Sequence, residues 1–443
     1  MKFSDLPTMS HLPALSAKGL FSSRCALFGT TFLFVLVAVA VPAASAAEVN
    51  SPESHGFSSQ RMQRLDAVVQ DAVDRKQLAG GIVYLGRNGR TAYLKSYGMS
   101  DIEGGKPMSP DAIFRIASMS KAVTAVAVMI LYEEGRFLLN DPVSKYLPAF
   151  KDPVVAIPPP ADGAGKGYLT VPAKNPMTIR QLLTHTAGLT YGDGPAREAY
   201  EKANLHGFYF ADHDETIGEA INRLATLPLH GQPGEAWQYG FSTDVLGYLV
   251  EVVSGQTFDR FLEERLFAPL QMRDTSFFLP LEKVDRLASV YGMENGRLVL
   301  KENTRASRYV HGPRKCFSGG AGLLATIGDY ARFLQMLLNG GELDGVRVLS
   351  PKTVELMHAN HTGEKFQLGT NAFGFNFTVL RDLGYHGELG TEGAYSGGGA
   401  YSTAYFVDPK ENLIGIFMTQ LRPAGDLGLH QKFKVLVYQA LVK

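Results

Sequence analysis

The chain is short of cysteine, of net charge and of long apolar runs. Two cysteines in 443 residues exclude a disulfide framework and a thiolate metal cluster. Lys+Arg and Asp+Glu each number 43, and no basic cluster stands out, which argues against nucleic-acid binding through bulk charge. No stretch beyond residue 41 reaches the ~18 uninterrupted apolar residues of a membrane span. P-loop and dinucleotide fingerprints are missing, as is any internal repeat. His185, His311, His361 and His386 are scattered, with no H-x-x-x-H pair and no carboxylate arrangement suited to zinc. A hydrophobic content of 45% is ordinary for a globular chain, so what is left is an enzyme or a small-ligand binder with a sizeable core.

The N-terminus reads as an address. Lys2, Lys18 and Arg24 precede an apolar run from Ala26 to Val41, and Ala44-Ser45-Ala46 follows as a small-x-small site. That order predicts a secretory signal peptide over residues 1–46 and a secreted or periplasmic protein, an uncleaved anchor being the alternative. Residues 47–443 then form a single domain with a net charge of −2 and no stable membrane insertion. Its lone Cys316 is expected to be buried filler. Nothing in the chain specifies an oligomeric state.

Along residues 47–443, apolar runs on either side of Arg87-Asn88-Gly89-Arg90 predict a hairpin from Gly80 to Tyr97, because Asn and Gly tolerate positive φ. A helix is expected before it, at about 59–76. Lys121 to Glu134 lacks strand alternation and predicts a helix buried on most of its surface. Further helices are expected near 178–185, 214–227, 242–254, 257–266, 327–339 and 426–441. Residues 151–176, rich in Pro, Gly and Ala, predict an exposed loop. A second hairpin is expected from Tyr401 to Val407 and Leu413 to Thr419. Strands at both ends with helices between imply an α/β fold. In it an antiparallel sheet from about 58–105 and 315–443 is flanked by helices and carries an inserted, mainly helical lobe over about 106–314.

Three segments could carry chemistry. Ser118-Met119-Ser120-Lys121 places a hydroxyl and an amine three residues apart where a loop gives way to the apolar helix, so both share a face. A buried Lys121 near a helix N-terminus is expected to have a depressed pKa and to take the Ser118 proton. The plainer reading is a Ser N-cap followed by a first-turn Lys. Tyr239 stands just before a helix in Pro233-Gly234-Glu235-Ala236-Trp237-Gln238-Tyr239; it is either a proton relay or a core Tyr packed on Trp237. Ser396-Gly397-Gly398-Gly399-Ala400 is expected to lead into a strand, where glycines let a main-chain N–H approach a ligand closely. The near match to G-x-S-x-G at Ser396 lacks the helix that motif needs after it, so Ser396 is not expected to be the nucleophile.

Taken in order, these stretches resemble the serine β-lactamase and penicillin-binding-protein superfamily, specifically its class C branch and the family VIII esterases. The likeness runs from about residue 58 to the end. It is carried by Phe114 to Lys121, Gln181-Leu182-Leu183-Thr184-His185-Thr186-Ala187-Gly188-Leu189, Pro233-Gly234 through Tyr239, Ser318-Gly319-Gly320-Ala321-Gly322-Leu323, Leu337-Leu338-Asn339-Gly340-Gly341 and Phe406-Val407-Asp408-Pro409. It implies a β-lactamase-like fold and no metal or organic cofactor. Ser118 would be the acylated nucleophile, Lys121 and Tyr239 would share the proton, and the N–H groups of Ser118 and Ala400 would form an oxyanion hole.

Two departures bear on the substrate. Phe241 stands where lactamases of that branch carry an amide-binding Asn. Gly397-Gly398-Gly399 stands in place of the Lys-Thr-Gly that binds the β-lactam carboxylate, and also lacks the Trp or His that many related esterases carry at the position of Gly397. Each loss should weaken binding of an anionic amide by about 1–3 kcal/mol, and neutral esters should suffer less. The expectation is therefore a carboxylesterase for small esters. A class C-type β-lactamase and a D-Ala-D-Ala carboxypeptidase or D-aminopeptidase, with Lys315, Arg314 or Arg422 binding a carboxylate, are the alternatives. A non-catalytic binding protein is a further one.

Overall fold

A computed structural model describes residues 51–159, 167–369, 371–425 and 427–443. The expected signal peptide lies outside the described residues. The first helix, α1 (Ser59–Asp74), starts where the Ser58 hydroxyl accepts from the Arg61 N–H, and turns Met62, Leu65, Val69 and Ala72 inward. Strands β1 (Gly80–Arg87) and β2 (Arg90–Asp101) follow, joined through Asn88 at φ 52° and Gly89 at φ 73°, the two positive φ values a tight hairpin needs.

The main sheet is completed by β3 (Lys106–Pro107) and by β4 (Asn371–Phe373), β5 (Thr378–Leu380), β6 (Tyr395–Gly399), β7 (Thr403–Asp408) and β8 (Leu413–Thr419). Its order is β4-β5-β6-β7-β8-β1-β2-β3, antiparallel throughout. The two ends of the chain meet at β1 and β8, where Val83 pairs with Phe417. Both faces of these central strands are covered, so side chains alternate between two cores rather than between core and water. Val83, Leu85, Phe406 and Phe417 pack with α1 and α5 (Leu429–Tyr438). Ile82, Tyr405, Ile416 and Met418 join the other core, with α2 (Ser120–Glu133) and α4 (Ile327–Leu338).

Helix α2 is the axis of the helical lobe. Every residue from Ser120 to Leu131 is buried, which explains its apolar, unstriped sequence. Lys121 is the only charge before Glu133. Beside it runs α3 (Ser242–Ser254), and no helix among the described residues is long and apolar enough to cross a membrane.

Two expectations need correction. The Pro/Gly/Ala-rich segment is not a plain loop: Val154–Ile157 and Leu169–Pro172 pair as a hairpin, anchored because Leu229 exchanges main-chain hydrogen bonds with Val154 and Ala156. The glycine run is not a turn leading into a strand. Tyr395–Gly399 is itself β6, and the next strand starts only at Thr403. Pairing on both sides at Ser396, with Thr378 and Phe406, outweighs the poor strand propensity of glycine.

Just upstream of α2, the fully buried Arg115 clamps three segments. Its guanidinium donates to Glu302 Oε1 at 2.6 Å, to the Ala288 carbonyl at 2.8 Å and to Ser307 Oγ at 3.0 Å. Breaking such a pair strands a charge in the core. Glu302→Ala is therefore expected to lower unfolding free energy by about 3 kcal/mol, measured as a shift of the urea midpoint; an unchanged midpoint contradicts the clamp.

Candidate active site

Ser118 sits in a single 3-10 turn, Ala117–Met119, that runs directly into α2. Ala117 before it holds φ 43°, a left-handed conformation unusual for a residue with a Cβ and of the strained kind that gathers at reactive positions. Opposite, the β6 backbone packs so closely that a Cβ at Gly399 would lie 2.3 Å from the Ile116 carbonyl oxygen. Only glycine fits there.

One turn into the helix, the Lys121 Nζ lies 3.3 Å from Ser118 Oγ, 2.9 Å from Tyr191 OH and 2.9 Å from the Gly320 carbonyl. An ammonium has three hydrogens, and each has an acceptor. The Tyr239 ring lies beside it, its centre 4.5 Å from Nζ. Gly320 is held by Asp244, whose carboxylate accepts from the Gly320 N–H at 3.0 Å and from Ser318 Oγ at 2.5 Å. A Cβ at Gly320 would sit 2.4 Å from that carboxylate, so the Ser318-to-Leu323 stretch is glycine-rich because it threads between α2 and α3. Burial pushes the Lys121 pKa down, but attraction to Tyr191, Tyr239 and Asp244 outweighs it and the group lies above the ordinary lysine range. The depressed pKa expected from the sequence is thus overturned: Lys121 is a charged donor at rest. Burial raises the Asp244 carboxyl and the Tyr191 phenol, with Lys121 opposing each in part.

Ser118 and Lys121 open onto a cleft of about 260 Å³. Trp237, Tyr239, Phe366 and Phe373 form an aromatic wall, and Asn376, Thr378, Ser396, Gly397 and Gly398 form the strand side. Tyr239 stacks on Trp237 and tilts onto His185, with ring centres 5.8 and 4.7 Å apart. The Leu380 N–H donates to the Ala394 carbonyl, so the alternation of the ladder turns the main-chain groups of Ser396 and Gly398 toward the same edge. Because β5 pairing begins only at Thr378, opposite Ser396, β5 leaves Gly398 uncovered on the cleft side.

Residues 65–438 match the Beta-lactamase family. The chain belongs to that family. It is thereby a serine hydrolase with a β-lactamase-like fold, as its resemblance implied. Among relatives of this Beta-lactamase family member, Esterase EstB of Burkholderia gladioli is 31% identical, over 82% of this chain and 92% of its own. A putative D-alanyl-D-alanine carboxypeptidase of Escherichia coli is 27% identical, over 86% and 87%. The solved structure of EstCE1, a hydrolase with promiscuous acyltransferase activity, superposes with a TM-score of 0.72 at 27% identity, covering 86% of this chain and 99% of that one.

Several expected site residues lie elsewhere. Phe241 is fully buried, edge-on to Tyr191 and Phe210 with ring centres 5.0 and 5.9 Å away; as an apolar side chain at the start of α3 it props Tyr191 from below and does not line the cleft. Neither Gly399 nor the Ala400 side chain lines it: Gly399 backs onto Ile116, and Ala400 packs on Ala117, Val290 and Tyr401. Lys315 pairs with Asp214, Arg314 lies over Phe278 and Arg422 over Phe208, so none of the three reaches the cleft as a carboxylate anchor. Cys316 is buried and its thiol pushed up by burial, as expected of filler. Tyr191, Asp244, Asn376 and Tyr405 escaped notice because each is a single polar residue in an apolar context, with no motif spacing.

His185 is fully buried and packs behind this wall, against Trp237, Tyr239 and Phe373. Burial, reinforced by Lys121, lowers its pKa to about 3, so it is neutral in the folded protein. Below pH 6.5 the unfolded chain takes a proton that native His185 refuses, and stability falls as pH drops toward 3. His358, also lowered to about 3 by burial, adds to the trend. His185→Asn, which tolerates the φ of 53° found there, should lose about 1.5 kcal/mol less than wild type between pH 6.5 and 5. Urea midpoints at the two pH values measure this, and equal losses contradict it.

Proposed function

We propose that the protein is a carboxylesterase that cleaves small uncharged esters through an acyl-enzyme at Ser118. The observation that carries this is Lys121 Nζ at 3.3 Å from Ser118 Oγ in a cleft whose described lining holds no second cation. The Ser118 proton passes to the Tyr239 oxygen, which reacts in its deprotonated form beside the Lys121 ammonium, as Oγ attacks the acyl carbon. The carbonyl oxygen becomes an oxyanion, for which the Ser118 N–H is one donor. The alternation that turns Gly398 to the cleft edge, carried one step further, supports the Ala400 N–H as the other. The alkoxide leaves with the proton held by Tyr239, and water then releases the acyl group. Lys121, charged throughout, favours negative charge on the oxygens around it.

The choice of ester over β-lactam or D-alanyl peptide rests on the missing anchor. At Gly397, a Cβ would meet the Tyr405 hydroxyl at 2.8 Å, and Tyr405 is buried. The place where the family carries a side chain is thus filled from the neighbouring strand. The esterase relatives favour the same reading. The charged, apolar and small-residue order of the first 46 residues supports a secreted or periplasmic location.

Turnover of p-nitrophenyl butyrate and of a chromogenic cephalosporin tests this. Wild type is expected to hydrolyse the ester with the higher kcat/KM. Lys121→Met should lower kcat by about 10²–10⁴, and Ser118→Ala should remove nearly all ester turnover. Undiminished turnover in Ser118→Ala contradicts the mechanism, and faster cephalosporin turnover contradicts the substrate class.

A further inference from the structure

Between β4 and β5 the chain turns through Phe375-Asn376-Phe377, both phenylalanines being fully buried. Asn376 takes φ 64°, which asparagine tolerates better than most residues, and its main-chain N–H donates to the Leu183 carbonyl at 3.1 Å. Its side chain is 8% exposed and forms part of the cleft wall. The amide is oriented from behind. Oδ1 accepts from Thr243 Oγ1 at 3.1 Å. With Oδ1 so engaged, the Nδ2 group is buried and has no partner. Trp237 Nε1, in the aromatic wall of the same cleft, is likewise buried and unpartnered.

Unpaired buried donors are rare and unfavourable. At a substrate cleft, such a donor discriminates strongly for a ligand that brings an acceptor. The neighbours define which acceptor. Trp237, Phe366 and Phe373 make the facing wall apolar, and the three hydrogens of Lys121, the one described cation of the cleft, are already taken by Ser118, Tyr191 and Gly320, so a neutral oxygen on an otherwise hydrocarbon group fits better than a carboxylate.

We propose that Asn376 is a specificity-determining residue whose Nδ2 donates to a neutral carbonyl oxygen on the acyl chain of the substrate, so that the protein selects oxo- or amide-bearing acyl groups over plain alkanoyl groups. Asn376 thus supplies, from the strand side of the cleft, an amide donor that Phe241 does not. This inference rests on the reading of Ser118 as the acylated residue.

The test compares p-nitrophenyl hexanoate with its 3-, 4- and 5-oxo analogues. In wild type at least one oxo ester should exceed the hexanoate in kcat/KM by about tenfold or more. In Asn376→Gly, which keeps the positive φ accessible, and in Asn376→Asp, which keeps the acceptor for Thr243 and removes the donor, that ratio should fall to within about threefold of one. A binding arm uses Ser118→Ala with calorimetry, where the favoured oxo ester should bind about tenfold tighter than the hexanoate, the difference vanishing in Ser118→Ala/Asn376→Gly. A wild-type ratio near one, or a preference that survives in both Asn376 variants, overturns the inference. Absence of ester turnover in wild type overturns the esterase reading, and the binding arm then decides the Asn376 proposal by itself.

Discussion

A single buried ammonium organises this protein. Lys121 enters the core on a helix whose first twelve residues are all buried, and isolated there its charge would be strongly unfavourable. Three acceptors resolve that: the Ser118 hydroxyl, the Tyr191 phenol and the Gly320 carbonyl. Each comes from a different part of the chain, so satisfying one charge draws together the start of α2, the loop before Tyr200 and the glycine stretch that precedes α4. Asp244 completes the arrangement by holding Gly320 in place. The serine is consequently oriented by the same interaction that keeps the core electrostatically tolerable.

The second constraint is steric and lies on β6. Glycine at three successive positions is unfavourable for a strand, yet each has its reason. Gly397 yields its side-chain space to Tyr405, Gly398 faces the cleft, and Gly399 lets the strand touch the carbonyl of Ile116. The same glycines that offer no cationic side chain bring the strand backbone close to the Ser118 turn. On the proposed reading, substrate preference and the geometry of the Ser118 turn are therefore coupled in one short segment.

Much of this was legible in the chain. The hairpin at Asn88-Gly89, the buried helix after Ser118, the helix after Tyr239 and the joining of both chain ends in one sheet follow from turn chemistry and periodicity, which act locally. Ser118 and Lys121 were visible because their spacing is itself local. What stayed hidden depends on packing between distant segments. The strand character of Tyr395–Gly399 comes from partners at Thr378 and Phe406 rather than from its own residues. The inward fate of Phe241 is set by Tyr191 and Phe210, and the raised rather than depressed pKa of Lys121 by Asp244 and two phenols that no spacing rule connects to it.

The most direct test of this account is the site of covalent capture. After brief exposure to a fluorophosphonate, intact mass and peptide mapping should show one adduct per chain, on Ser118, and none in Lys121→Met over the same interval. An adduct on Ser396 or elsewhere, or equally rapid labelling without Lys121, would contradict the claim that this ammonium prepares the Ser118 hydroxyl for attack.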